Sequence, residues 1–504
     1  MSKIKKLLSD TIIYGFTTVI TRMIGFIMTP IYTRSFTDSA VYGVFTNMYA
    51  YAALVNAILA FGMETTFFRF LNRVEEKEKP KVYDTSFTIV LFTSVLFLIT
   101  IFLFANPIAS WLSSGSNISS QQDYVKFVKY FGIILVADAL TVMPFAKLRT
   151  QGKAKRYSFV KVMNILVLVL ANLFFLFWLP SLVNTSSFWA DFAATWFIQD
   201  WVGNVFIANM IASIVTVVLL LPQLLQLRFN VDKSLVKSMV IYSLPILIAN
   251  ISFIINEHLD KMMFPKLIPG DVGARDLGVY GAAGKLAMFL NLFITAFRLG
   301  VEPFFFSHAK EKNATKTYAM IMDYFIIIMV LVMVGICANL DWLKLFIAGD
   351  EDNVGEYWDG LYIVPVLLFN YVLLGIYMNL SIWYKLSDQT RYAIYISGLG
   401  AIVTIVFNFL FIPKYSYLGA SLSTTLAYIV MVALSFIWGQ KNYPIPYKVL
   451  KNLSYVLIGV LLSGLIYYVL EANFWLSNLL FLAFLVGVIF KEKNNVLKFV
   501  KAGK

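Results

Sequence analysis

Fourteen apolar stretches, each near the roughly 20 residues a helix needs to cross the hydrocarbon core of a bilayer, divide this chain of 504 residues. They run over residues 12–33, 41–68, 85–104, 124–146, 158–179, 203–222, 239–258, 279–306, 318–339, 361–384, 391–412, 418–438, 453–470 and 474–490. Lysine and arginine fall almost wholly in every second gap. The N-terminal tail (Lys3, Lys5, Lys6), the even-numbered gaps and the C-terminal tail hold most of the 41 basic residues, while the odd gaps hold Arg34, Lys261, Lys266, Arg275, Lys344 and Lys414. Positive flanks stay on the cytoplasmic side of a membrane, so both termini are expected there. The fold class expected is an all-α integral membrane protein.

Composition excludes the soluble classes. Hydrophobic residues make up 60% of the chain and charged ones 14%, against about 25% charged in a soluble domain. A net charge of +13 would in a soluble chain point to nucleic acid; here basic loops beside anionic lipid account for it, and no nucleic-acid partner is expected. One cysteine, Cys337, excludes an internal disulfide, and two histidines, His258 and His308, make no metal cluster by themselves. The first apolar run continues through Arg22 without a small-residue cleavage site, so it reads as a span rather than a removable signal. No loop exceeds about two dozen residues, which leaves no room for a soluble catalytic domain, and no phosphate-binding G-x-x-x-x-G-K-[ST] loop occurs. Neither metal nor cofactor is expected.

The chain also repeats itself. Val41-Tyr42-Gly43 returns as Val279-Tyr280-Gly281, and at the same offset Gly62-Met63-Glu64-Thr65-Thr66-Phe67-Phe68 returns as Gly300-Val301-Glu302-Pro303-Phe304-Phe305-Phe306. Two matches at one offset, each placed alike in its span, indicate duplicated halves of six spans. Six is even, so the halves share one orientation, one of the ways a rocking transporter is built. The expected organisation is an N-terminal lobe 1–222, a cytoplasmic linker 223–238, a C-terminal lobe 239–438, and two extra helices with a basic tail over 439–504, the two parallel six-helix lobes enclosing a central lumen.

Charges inside spans mark function, because burying an ionisable group in hydrocarbon costs at least a few kcal/mol unless it faces a cavity or a partner. Arg22 lies mid-span, and Gly15, Thr18, Arg22, Gly25 and Thr29 share one helical face. The eighth span repeats this with Gly281, Lys285, Met288, Asn291, Thr295, Arg298 and Glu302. The seventh ends in Glu257, His258, Asp260 and Lys261, with Asn250 on the Glu257 face, and Asp138 stands alone in the fourth. Plainer readings stand beside these. Glu302 can neutralise Arg298 four residues away, Glu64 can pair at the membrane edge, and His258, Asp260 and Lys261 can form a solvated helix end.

The chain resembles the polysaccharide (O-antigen, lipid-linked oligosaccharide) flippases of the multidrug/oligosaccharidyl-lipid/polysaccharide exporter superfamily. The residues behind this are Thr21-Arg22-Met23-Ile24-Gly25-Phe26, Leu148-Arg149-Thr150-Gln151-Gly152-Lys153, Tyr242-Ser243-Leu244-Pro245 with Asp260-Lys261, Gly278 to Lys285, and Asn408 to Pro413 followed by Gly419-Ala420. The resemblance implies a cavity open to one side at a time, a bacterial inner-membrane address, no enzymatic activity, and a polyprenyl pyrophosphate carrying an oligosaccharide as substrate. It also implies a lumen arginine in the first span, the place Arg22 occupies. Arginine's planar fork suits phosphate oxygens, so Arg22, Arg298 and Lys285 are the expected pyrophosphate residues. Glu64, Asp138, Asn250, Glu257, Asp260, Asn291 and Glu302 are the lumen polar set available for ion coupling. Expected partners are the lipid-linked oligosaccharide, the phospholipid bilayer and polysaccharide polymerase machinery, with the chain itself a monomer. Two alternatives remain open: a cation-coupled multidrug exporter using Asp138, Glu257 and Asp260, and a membrane-embedded glycan polymerase or ligase.

Overall fold

A computed structural model describes residues 14–17, 19–21, 23–36, 38–113, 117–309, 311, 313–349 and 355–502. The described residues are predominantly helical, without a strand among them. The principal helices are α1 (Thr29–Ser35), α2 (Ser39–Ala60), α3 (Met63–Leu71), α4 (Lys79–Leu103), α5 (Gln121–Thr150), α6 (Ala154–Leu173), α7 (Gly203–Leu219), α8 (Lys233–Leu267), α9 (Asp271–His308), α10 (Ala314–Ala338), α11 (Val364–Leu380), α12 (Ile382–Leu386), α13 (Arg391–Asn442), α14 (Val449–Gly464) and α15 (Phe474–Ala502). Eleven helices among the described residues are long and apolar enough to cross a membrane; α7 is apolar and shorter. The chain is a multi-pass membrane protein.

Three stretches differ from expectation, two of them for a backbone reason. The run 41–68 is two helices, because Phe61 and Gly62 both take left-handed φ values of 50° and 61° and end α2 before α3 begins. A side chain at Gly62 would in addition meet Ile246, so glycine fits there on both counts. The runs 391–412 and 418–438 join in α13 across a kink at Ser416, whose φ is 49° and ψ −130°, three residues after Pro413, which interrupts helical hydrogen bonding. The expected outer loop 180–202 folds into the short helices Leu179–Thr185 and Ser187–Ala193. There Trp189 and Trp196 pack against a buried Phe175, Leu179, Ala193 and Ala208.

Two compact units form. One comprises Met1–Gly281, Gly349–Glu356 and Thr390–Ala427; the other comprises Ala282–Ala348, Tyr357–Gln389 and Tyr428–Lys504. In the first, α5 packs on α4, α6 and α7, and α8 packs on α2. The start of α9 meets α2 backbone to backbone: a Cβ on Gly43 would lie 1.9 Å from the Ala274 carbonyl oxygen, and one on Gly278 would lie 1.9 Å from that of Ser39. Arg275 flanks this contact with ion pairs to Asp38 and Glu356. In the second unit α10 packs on α11, α14 and α15. Lys451 there bridges Asp323 and Glu492, both buried, and Tyr455 donates to Glu492 at 2.9 Å.

Candidate functional site

Within the first unit, a cavity of about 350 Å³ gathers charge from α5, α6 and the α3 turn that follows the Gly62 break. Glu64 on α3 and Arg149 near the end of α5 form an ion pair, and the Arg149 guanidinium lies over the Phe68 ring at 4.8 Å. Deeper along α5, Asp138 accepts a 2.8 Å hydrogen bond from Ser213 of α7. Lys161 of α6 turns its ammonium toward the cavity and over the Phe145 ring at 4.3 Å. Among the described residues it has neither a hydrogen bond nor an ion pair. Asn164 donates to Thr216 at 2.8 Å, and Asn56, Thr141 and Tyr157 complete the polar wall. Two carboxylates, two cations, amides and hydroxyls therefore share one chamber within a lobe of apolar helices. Leaving any of these charges without a partner there would be costly.

The second unit has its own narrow cavity, about 20 Å³, room for a water. Arg298 and Glu302 of α9 line it with Asn379 of α11 and Lys385 of α12. Glu302 pairs with Lys385, not with Arg298. The guanidinium of Arg298 instead faces the thioether of Met378 at 3.9 Å, a weak acceptor, and makes no ion pair among the described residues.

Other expected residues are placed as follows. Arg22 lies outside the described residues. Asp260 is buried at 3% exposure; it accepts from the Tyr280 hydroxyl and from Lys261 Nζ at 2.9 and 3.0 Å, so it is not a solvated helix end. Glu257 stands 3.9 Å from the His258 ring. Asn250 is exposed, Asn291 and Lys285 are half-buried, and none of the three lines either cavity. Sequence reasoning passed over Lys161, Asn164, Ser213 and Thr216. Their signal was the i,i+3 spacing of two polar residues within the apolar stretch of each of two helices. No group of three or more potential ligands for a metal occurs among the described residues.

No curated protein matches the sequence. Solved structures do match by fold. "Lipid II flippase MurJ, inward closed conformation" aligns at a TM-score of 0.71 and 13% identity, covering 96% of this chain and 100% of that one. An inward-facing multidrug resistance MATE family transporter of the MOP superfamily aligns at 0.65 and 14%, covering 84% and 94%. The MATE multidrug transporter DinF-BH aligns at 0.60 and 16%, covering 88% and 97%. These likenesses show that the chain shares the fold of those structures. The sequence itself matches the family described as polysaccharide biosynthesis protein over residues 7–307, more than half of the chain, and the protein belongs to that family.

Proposed function

We propose that this protein is a flippase that moves a polyprenyl-pyrophosphate-linked oligosaccharide from the cytoplasmic to the outer leaflet of a bacterial inner membrane, supplying cell-surface polysaccharide such as O-antigen. Both termini are cytoplasmic in this reading, and the chain works as a monomer beside the polymerase machinery. The observation that carries it is Arg298: the carboxylate four residues away is held by Lys385, so a guanidinium on a membrane-crossing helix keeps its charge for an anion, which the cavity of about 20 Å³ would widen to admit during transport. A diphosphate is such an anion, and a guanidinium can grip it through two parallel hydrogen bonds. Arg22 would meet it from the first half, and Lys285 from the outer part of α9. Family membership in polysaccharide biosynthesis supports the sugar-bearing substrate. Pyrophosphate and sugars would pass through the lumen while the prenyl tail stays in lipid.

A second reading, a cation-coupled multidrug exporter, draws on Asp138, a carboxylate facing the cavity of the first unit, and on structural neighbours that are multidrug transporters. Proteoliposomes loaded with fluorescent polyprenyl-pyrophosphate oligosaccharide on one leaflet separate the two. The flippase reading expects translocation by the wild type and a loss of about tenfold or more, near 1.4 kcal/mol, in Arg298→Ala at equal protein level. Translocation of a cationic dye with none of the lipid-linked sugar would transfer the function to the exporter reading.

A further inference from the structure

A second cavity in the first unit, about 850 Å³, opens among the basic loops and shares no lining residue with the Asp138 chamber. It sits where α3, α4 and the end of α5 meet the start of the linker to α8. Its charged lining is Glu76, Lys79, Asp84, Lys147 and Arg228. Both carboxylates are already engaged. Glu76 pairs with Lys79. Asp84, 3% exposed, accepts the backbone N–H groups of Arg228 and Asn230 at 3.4 Å each. Neither Lys147 nor Arg228 has a carboxylate within ion-pair distance among the described residues. The Lys147 ammonium lies instead over the Tyr83 ring at 4.0 Å, held without being neutralised.

The wall is anchored before any ligand arrives. The Tyr83 hydroxyl donates to the Gln223 carbonyl at 3.2 Å, so adjacent residues of α4 tie down both ends of the linker stretch 223–230. Asp84 orders that stretch through backbone amides and makes no ion pair with either cation among the described residues, although its charge still reaches the Lys147 ammonium. Along the same stretch Leu225 is 80% exposed and Phe229 60% exposed. Large apolar side chains beside lysine and arginine suit the boundary between headgroups and acyl chains, where basic pockets hold anionic lipid heads.

We propose that this cavity binds a phosphate-bearing anion, with Lys147 and Arg228 as its ligands and Tyr83 and Asp84 as the residues that position them. The exposed Leu225 and Phe229 make a lipid headgroup the source the site is shaped for. The proposal is independent of what the Arg298 cavity carries.

The test uses the full chain in detergent, titrated with dihexanoylphosphatidylglycerol, dihexanoylphosphatidylcholine and inorganic phosphate. The expected result is binding of the glycerol lipid with at least about tenfold preference over the choline lipid. Arg228→Gln should weaken it several-fold, and Lys147→Gln with Arg228→Gln by about tenfold or more. Lys233→Gln with Lys237→Gln removes equal charge from the exposed start of α8 outside the cavity and should change nothing. Tight inorganic phosphate binding, lost in the same variants, upholds the anion site and makes a soluble phosphate its source. Absence of binding to the wild type by every probe overturns the proposal. So does binding unchanged in Arg228→Gln and in the double variant, or equal weakening by the Lys233/Lys237 pair. Arg228 is exposed, so its single variant decides the matter even where the Lys147 change impairs folding.

Discussion

Arg298 and Glu302 show what a sequence can and cannot say about a charged residue. Spacing of four places them on one helical face and offers mutual neutralisation; the carboxylate's actual partner, Lys385, lies 83 residues further along the chain. Glu64 behaves alike, with Arg149 lying 85 residues away. Short-range spacing is legible in a sequence, and pairs of this kind are not, because they depend on which helices pack. Lys161 escaped notice for a related reason. Near the start of an apolar span a lysine reads as a snorkelling flank, and only the packing of α5, α6 and α7 turns it toward Asp138. These two charges share one chamber, so their removal should not be additive. Asp138→Asn and Lys161→Met are each expected to lower thermal stability in detergent, and the double variant should recover part of the sum, with a coupling of about 0.5–3 kcal/mol. Strict additivity would mean that the two charges do not sense one another.

At the level of elements, the apolar runs foretold most helices, and two of the exceptions lie at residues with unusual backbone angles. Phe61, Gly62 and Ser416 interrupt or bend what hydropathy reads as continuous or divides in two, since hydropathy carries no information on φ. The Val-Tyr-Gly repeat was legible as a motif, and its purpose was not. Gly43 of the first copy, with Gly278 just ahead of the second, allows α2 and α9 to meet at backbone distance, while Gly281 of the second copy faces the Thr46 side chain, contacts no single helix reveals. Gly43→Val should therefore separate the pair. The expected outcome is a loss of stability of about 1–3 kcal/mol, as for overpacked cores, read as a lowered unfolding temperature. Gly284→Ala on the same α9 meets nothing within 4 Å and should leave that temperature unchanged or raised. Equal effects of the two substitutions would rule out close approach as the reason for glycine at position 43.

For the whole molecule, the alternation of basic and non-basic gaps predicts an orientation that labelling can check directly. The single cysteine, Cys337, is buried, so a new cysteine on the natural background reports alone. A membrane-impermeant maleimide applied to intact cells should label Asn117→Cys and spare Lys77→Cys; the reverse would invert the topology. The matched pairs Glu64–Arg149 and Glu302–Lys385 carry a mechanical consequence. The same glutamate of the repeated motif is met once by a flat guanidinium and once by a round ammonium. A guanidinium can hold a carboxylate in one plane, whereas an ammonium on its flexible stem lets it swivel. A guanidinium can thus fix the orientation of the first glutamate, while the ammonium leaves the second freer to turn, so one sequence motif is held with unequal stiffness at its two occurrences.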